Sequence, residues 1–137
     1  MGNPNFSQTM QLFSRTNHFL AAYPDGTVRG TQDSSDIHTI LEISNAGQTG
    51  HVRIMCLLSR VYVAIDKRGN LYAENNMWIE GTVWIESYRG GYNTYLSRQH
   101  AHKKWYLGLK KSGKVKRGPK TAEKQKAVQF LPVRRGR

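Results

Sequence analysis

Apolar and polar residues alternate at a period of two in three stretches of the chain that align without a gap. Each stretch begins with an aromatic residue, continues with two apolar residues spaced two apart, and has a glycine at its eighth position and another apolar residue two positions later. Such alternation on both sides of a glycine turn is typical of a β-hairpin with one buried face. The three copies are FLAAYPDGTVRG at 19–30, YVAIDKRGNLYA at 62–73 and YLGLKKSGKVKR at 106–117.

The position between the first two apolar residues is small in every copy, where Ala21, Ala64 and Gly108 stand. We therefore expect another segment to pack closely against each hairpin at this position. The alternation also predicts which residues form much of the core: Leu20, Val28, Val63, Ile65, Leu71, Leu107, Leu109, Val115 and Phe130.

Further strand-like runs lie between and after the hairpins, at 37–43, 51–58, 82–87, 92–97 and 127–133. No stretch has the sustained i, i+3, i+4 apolar stripe of an amphipathic helix, so we predict an all-β chain.

Three repeats of about four strands each restrict the possible architecture. A propeller needs at least ~4 blades, and a solenoid buries its faces between stacked neighbours. We instead predict a β-trefoil, a closed barrel with three-fold pseudosymmetry and a hairpin cap, because closure removes exposed sheet edges. We place this domain at 12–133, between a flexible N-terminal segment at 1–11 and a basic C-terminal tail at 134–137.

The size and the cysteine content are those of one ordinary domain. A chain of 137 residues can bury a sizeable core without disulfides, and the single cysteine, Cys56, is expected to be a small buried hydrophobe. No apolar run approaches the ~18–20 residues that span a bilayer, and the start MGNPNFSQTM lacks the features of a signal peptide. We expect no membrane insertion.

Charge changes the picture, because it is segregated along the chain. The formal net charge is +12; residues 1–97 hold 7 Lys and Arg against 8 Asp and Glu, whereas residues 98–137 hold 14 against 1. The densest run is GLKKSGKVKRGPKTAEKQKA at 108–127, where Glu123 is the one acid. Segregation this strong favours a polyanionic partner over a merely solvated face.

Several polyanions could meet such a run. Gly113, Gly118 and Pro119 prevent a continuous amphipathic helix, which weakens a membrane-surface interpretation. Single-stranded nucleic-acid sites interleave aromatic residues, and 107–127 contain none. Sulfates on a flexible sugar chain need clustered point charges, which lysine supplies. We predict a glycosaminoglycan site and no nucleic-acid binding, with a solvated face as the alternative.

The chain resembles the fibroblast growth factors over about residues 12–133, most of all the acidic and basic members. The likeness is carried by HFLAAYPDGTVRGT at 18–31, GNLYA at 69–73, YNTYLSRQHAHKKWYLGLKKSGKVKRGPKT at 92–121 and QKAVQFLP at 125–132. The resemblance implies a β-trefoil ligand that needs no cofactor, is monomeric alone, and binds a receptor tyrosine kinase together with heparan sulfate as co-ligand, so that two receptors meet. It also implies action outside the cell, reached by a non-classical route.

The resemblance assigns residues to both partners. The glycosaminoglycan site would comprise Lys110, Lys111, Ser112, Lys116, Arg117, Lys120, Gln125, Lys126 and Ala127, with Arg15 as an added charge. The receptor site would comprise Tyr92, Asn93, Leu131, Val133 and Glu86, with Leu12 where a tyrosine is usual and Gln32 where the family has an arginine.

The residues themselves leave a different interpretation of the receptor site open. Tyr92, Tyr95 and Leu131 could be barrel core residues, since aromatic side chains in strands are more often packed than exposed. If Tyr92 and Leu131 are exposed neighbours, they form an apolar patch of the kind found at interface centres. Glu86 could then accept hydrogen bonds from a partner, or it could be solvated.

Other function classes have less support. The five histidines and nine acids form no spacing tied to nucleophilic catalysis or metal binding, so we predict no enzyme. His100 and His102 would share a face if they lay on a strand, but Lys103 and Lys104 disfavour a cation there, and we expect solvated loop histidines. The alternatives are an intracellular relative of the same fold and a trefoil lectin, which would need three equivalent sugar pockets.

Overall fold

The computed structural model describes residues 7–134, which form ten β-strands joined by turns and short 3₁₀ helices, with no α-helix among them. No helix in this part of the chain has the length and apolar character to cross a bilayer. The strands are β1 Ser7–Ser14, β2 His18–Ala22, β3 Val28–Thr31, β4 Leu41–Asn45, β5 His51–Cys56, β6 Tyr62–Ile65, β7 Leu71–Glu74, β8 Val83–Arg89, β9 Tyr92–Ser97 and β10 Phe130–Arg134.

Six of the strands close a barrel. Going around the ring, β1 pairs with β10, β10 with β9, β9 with β8, β8 with β5, β5 with β4, and β4 with β1, all antiparallel. The ring therefore has no free edge, and the first and last strands are neighbours. Together with the three hairpins described next, this is the predicted β-trefoil.

Three hairpins cap one end of the barrel. The first is β2–β3, the second is β6–β7, and the third is a looser hairpin over 106–116 that is held by the bridge between Leu109 and Val115. Their turn glycines, Gly26, Gly69 and Gly113, have φ values of +94°, +86° and +91°, which favour glycine.

Each turn glycine also joins its hairpin to the next one. The carbonyl of Gly26 accepts from the N–H of Ala73 (2.9 Å), that of Gly69 from Gly118 (2.8 Å), and that of Gly113 from Gly30 (2.7 Å). The three hydrogen bonds form a cycle, so the repeated glycine is used both inside each turn and between the repeats.

The small residue of each hairpin lies where a 3₁₀ helix packs against it, as predicted. Helices Ile37–Thr39, Glu80–Thr82 and Lys126–Val128 each precede the last barrel strand of their repeat. Ala21 and Ala64 are completely buried, and a Cβ added to Gly108 would lie 3.2 Å from Cγ1 of Val128.

The predicted core is confirmed, with Val115 half-buried at its edge and the others fully enclosed. Cys56 is buried, as expected. Trp84 is completely buried and donates from Nε1 to the carbonyl of Val63 (2.9 Å), so its polar atom is satisfied.

The folded unit extends beyond the predicted boundaries. The boundary at residue 12 falls inside β1, whose first residues pair with β4 and place Met10 in the core. Arg134, where the basic tail was predicted to start, is the last residue of β10. The rest of the predicted terminal segments, 1–6 and 135–137, lies outside the described residues.

Candidate binding surfaces

Exposed cations from three neighbouring segments form one surface on the third repeat. We call it the basic surface and define it by Lys110, Lys111, Lys116, Arg117, Lys120 and Lys126, of which only Lys116 is half-buried.

Backbone hydrogen bonds bring the three segments of the basic surface together. The N–H of Lys110 donates to the carbonyl of Lys114 (2.8 Å) and closes the hairpin turn. The N–H of Lys116 donates to Gly108, and that of Leu109 donates to Ala127 (both 2.9 Å). The segment 108–111 is therefore hydrogen-bonded both to the segment that begins at Lys116 and to the segment that contains Lys126 and Ala127.

Side chains of Thr121 and Gln125 hold the loop that carries Lys120. The hydroxyl of Thr121 donates to the carbonyl of Gly118 (2.6 Å) and accepts from the N–H of Tyr106 (2.8 Å). The amide of Gln125 accepts from the N–H of Ala122 (3.1 Å) and donates to the carbonyl of Lys120 (3.2 Å). Gln125, predicted as a glycan contact, thus also fixes the loop 120–125 within the basic surface by hydrogen bonds.

The cations of the basic surface form no ion pair with the part of the chain that the structure describes. Within residues 7–134, ion pairs join Arg98 to Glu80 (2.7 Å), Arg89 to Glu123 (3.8 Å) and His38 to Asp36 (3.1 Å), and none involves a cation of this surface. The lone acid of the segment, Glu123, lies against Arg89. Such a cluster attracts an anion and loses little internal pairing when it binds one.

Two other predicted glycan residues, Ser112 and Ala127, differ in whether their side chains can reach a ligand. Ser112 is exposed at the hairpin turn, and its hydroxyl accepts from the N–H of Lys114 (3.3 Å). Ala127 is buried in the middle of the 3₁₀ helix Lys126–Val128, so it can contribute to binding only through its backbone.

An apolar recess of about 220 Å³ lies beside the basic surface, and Phe13, Arg15, Asn17, Tyr92 and Leu131 line it. Phe13 and Leu131 are paired across β1 and β10. Leu131 is 47% exposed, so it is not a core residue, and Tyr92 is half-buried. Leu131 and Tyr92 thus line the same recess, but only Leu131 is exposed, and the assignment of the recess to a receptor stays a prediction.

Arg15 lies at this recess rather than within the basic surface. Its guanidinium carbon is 4.7 Å from the centre of the Tyr92 ring, and its Nη1 donates to Oε1 of Gln129 (2.7 Å). The side chain connects β1 to the segment between the two surfaces, and its role as an added charge of the glycan site stays a prediction.

The prediction that Leu12 contacts a receptor is wrong. Leu12 is completely buried in the barrel core, whereas the adjacent Phe13 points to the opposite face of β1 and lines the recess, with its ring 4.7 Å from that of Phe19. Successive side chains of a strand face opposite sides. The alternation of Met10 and Leu12 toward the core was the signal that could have identified Phe13.

Glu86 and Asn93 are connected through a buried tyrosine. The hydroxyl of Tyr95 donates to Oε2 of Glu86 (2.8 Å), and Nδ2 of Asn93 donates to that hydroxyl (3.3 Å). Burial, together with the charge of Glu86, raises the pKa of Tyr95 well above its usual 10.0, so the phenol stays protonated. Tyr95 is a core residue, and it orients two of the predicted receptor residues.

The last two predicted receptor residues lie further from the recess centre. Gln32 is exposed, and its amide donates to the carbonyl of Asn17 (3.3 Å), which belongs to the rim. Val133 is half-buried on β10, where it pairs with Gln11. Neither is brought into contact with Tyr92 by a hydrogen bond or strand pair.

The histidines near the basic surface are not on a strand. Residues Ala101–Lys103 form a 3₁₀ helix, so His100 and His102 do not share a strand face. His102 is exposed, as expected, but His100 is buried, with its ring centre 4.6 Å from that of Trp105. Residues 7–134 contain no group of three His, Cys, Asp or Glu side chains that could hold a metal ion.

Protonation of His100 is expected to destabilise the protein. Burial, assisted by the charges of Lys103 and His102 and opposed by that of Asp66, lowers its pKa from the usual 6.5. The unfolded chain therefore takes up this proton at a higher pH than the folded chain. The stabilisation is fully present above about pH 6.5 and is lost as the pH falls from there to the lower pKa of the folded state.

Urea unfolding between about pH 7.5 and about pH 5.5 measures this loss. His100→Gln is expected to flatten the dependence, whereas the exposed His102→Gln removes only a smaller cause of the shift and should keep most of it. An undiminished pH dependence in His100→Gln would contradict the assignment.

Comparison with known proteins agrees with the fold. The family model described as fibroblast growth factor matches residues 8–131. The chain is 40% identical over 132 residues to fibroblast growth factor 1 of Cynops pyrrhogaster, covering 96% of this chain and 88% of that protein. It is 41% identical over 120 residues to fibroblast growth factor 1 of Notophthalmus viridescens (88% and 90% covered) and 37% identical over 119 residues to that of Xenopus laevis (85% and 74% covered). The chain therefore belongs to the fibroblast growth factor family, whose members are signalling growth factors and not enzymes.

Proposed function

We propose that the protein is an extracellular growth factor that binds heparan sulfate through the basic surface and a fibroblast growth factor receptor tyrosine kinase through the apolar recess. The observation that carries the proposal is the adjacency of the two surfaces. The chain runs directly from Lys126 in the basic surface to Leu131 in the recess, and Gln129 between them binds Arg15.

Heparan sulfate fits the basic surface for physical reasons. Its sulfates and carboxylates are spaced along a flexible polymer, and lysine ammonium groups bind them as point charges without a fixed geometry. Each exposed contact is weak, but several together release counterions and make binding strongly dependent on salt, by analogy with phosphate polymers. Among residues 7–134, no cation of the surface has to leave an ion pair first.

A protein partner fits the recess better than a glycan does. Phe13, Tyr92 and Leu131 supply apolar area, and Arg15 stacked on Tyr92 adds a charged group beside it. Aromatic residues and arginine dominate the binding energy at the centres of interfaces. Asn93 and Glu86, oriented by Tyr95, supply polar groups nearby.

The two surfaces together explain how the growth factor would signal. A glycan chain on the basic surface would pass beside a receptor in the recess, so that it could contact both proteins and raise the local concentration of a second complex. The protein would be monomeric alone and would form a dimeric assembly with receptor and glycan.

Removal of two lysines tests the glycan half of the proposal. Lys116→Ala/Lys126→Ala is expected to elute from a heparin column at clearly lower salt, with the slope of log affinity against log salt reduced by roughly 1.5 for two lost contacts. The matched control Arg60→Asn/Arg134→Ala removes two exposed charges elsewhere, with asparagine suited to the φ of +62° at Arg60, and should elute like the wild type.

Receptor phosphorylation tests the whole proposal. In cells that lack heparan sulfate, the protein is expected to cause phosphorylation only when heparin is added. Absence of phosphorylation with and without heparin would rule out an activating ligand, and unchanged heparin elution of the lysine variant would rule out the glycan site.

A further inference from the structure

The turn of the second hairpin carries two cations that lie next to the basic surface, although 42 or more residues separate them from it in sequence. Lys67 and Arg68 are both exposed. The turn that presents them is held by Asp66, whose carboxylate accepts from the N–H groups of Arg68 (2.8 Å) and Asn70 (2.9 Å). Burial alone would raise the pKa of Asp66, but the hydrogen bonds from Asn70 and Arg68 outweigh it and keep the pKa below its usual 3.8.

This turn is docked on the basic surface by four contacts. Arg117 donates from Nη2 to the carbonyl of Arg68 (2.8 Å) and from Nε to Oδ1 of Asn70 (3.2 Å). Gly118 donates to the carbonyl of Gly69 (2.8 Å), and the ring of Pro119 is so close that a Cβ on Gly69 would collide with it.

Arg117 therefore connects the cations of the turn, Lys67 and Arg68, to those of the basic surface. A guanidinium has five N–H donors, of which two are used here, and the others have no protein partner within residues 7–134. The docking fixes Arg117 without neutralising it, because both of its acceptors are uncharged. Lys67 and Arg68 have no ion pair in this part of the chain, and Asp66 is the one carboxylate of the turn.

We propose that Lys67 and Arg68 form a second glycan subsite, which extends the basic surface from the third repeat onto the second. The inference rests on the proposed function. A sulfated chain bound along Lys110, Lys116 and Arg117 would continue over the turn 66–70, so that a long chain makes charge contacts that a short one cannot reach. A subsite that spans two repeats also favours sulfates spaced along one polymer over a single free anion.

The dependence of binding on chain length tests the subsite. Lys67→Ala/Arg68→Ala is expected to lower the affinity for unfractionated heparin roughly two- to tenfold and to leave the affinity for a heparin tetrasaccharide nearly unchanged. The substitutions keep the Arg68 carbonyl that Arg117 uses, so the turn should stay docked. Arg60→Asn/Arg134→Ala serves as the control with the same loss of charge, and thermal unfolding verifies that both variants fold.

A failure of this inference can be told from a failure of the proposed function. If Lys116→Ala/Lys126→Ala weakens heparin binding and Lys67→Ala/Arg68→Ala behaves as the control, the subsite is overturned and the glycan site stands. If neither variant weakens binding, the glycan site itself is overturned.

Chemical protection of the wild-type protein gives a second test that needs no substitution. Acetylation of lysines by an N-hydroxysuccinimide ester, read by mass spectrometry, should be slowed at Lys67 by unfractionated heparin but not by the tetrasaccharide. Full reactivity of Lys67 under conditions that protect Lys126 would overturn the subsite.

Discussion

Tyr92→Ala is expected to lower the affinity for the receptor by about 30-fold or more, the effect of losing about 2 kcal/mol at an interface hot spot. The ring of Tyr92 lines the recess, and the guanidinium of Arg15 stacks on it. Its loss therefore removes apolar contact area and leaves the Arg15 side chain without the ring that positions it. Surface plasmon resonance with a receptor ectodomain measures the change.

Two comparisons make this result specific. Tyr92→Phe keeps the ring and should retain most of the affinity, and heparin elution of Tyr92→Ala should match the wild type, because Tyr92 is not part of the basic surface. An equal loss of receptor and heparin binding would point to misfolding and contradict the assignment of Tyr92 to the recess.

Leu12→Ala is expected to lower mainly the stability of the fold, and Phe13→Ala mainly the affinity for the receptor, although the two residues are adjacent. Leu12 is completely buried, so its truncation should lower the free energy of unfolding by about 2–5 kcal/mol. Phe13 is half-buried on the other face, so its truncation should weaken receptor binding more than it weakens the fold.

Chemical denaturation and receptor titration of both variants separate the two effects. A folded Leu12→Ala protein should still bind the receptor at a temperature well below its midpoint. Wild-type stability of Leu12→Ala, or wild-type receptor affinity of Phe13→Ala, would reverse the assignment of the two faces of β1.

Much of the fold could be predicted from the pattern of residues. Period-two alternation identified the inward residues of the hairpins, because a pleated strand with one buried face requires it. The glycines at 26, 69 and 113 marked turns that need a positive φ, and the three occupy equivalent places in the structure. The small residues at 21, 64 and 108 indicated a close neighbour, which is a 3₁₀ helix in each repeat.

The candidate sites were predicted less completely. Resemblance placed Leu12 in the receptor site, but the structure places it in the core and brings Phe13 to the surface. It placed Arg15 with the glycan residues, and no sequence pattern indicated that Arg15 also hydrogen-bonds to Gln129 and stacks on Tyr92 at the recess. A one-residue shift in a strand reverses the face of a side chain, which an alignment of motifs does not resolve.

The sequence by itself determined the all-β class, the three-fold repeat, the buried face of each hairpin and the concentration of positive charge at 98–137, because these follow from residue types at short and regular spacings. Only the tertiary structure decided which distant segments meet. Closure of the barrel pairs β1 with β10 and so forms the recess, and the cycle of hydrogen bonds between hairpins places the turn 66–70 against Arg117 and Gly118. Contacts across such separations depend on the path of the whole backbone, which no local pattern specifies.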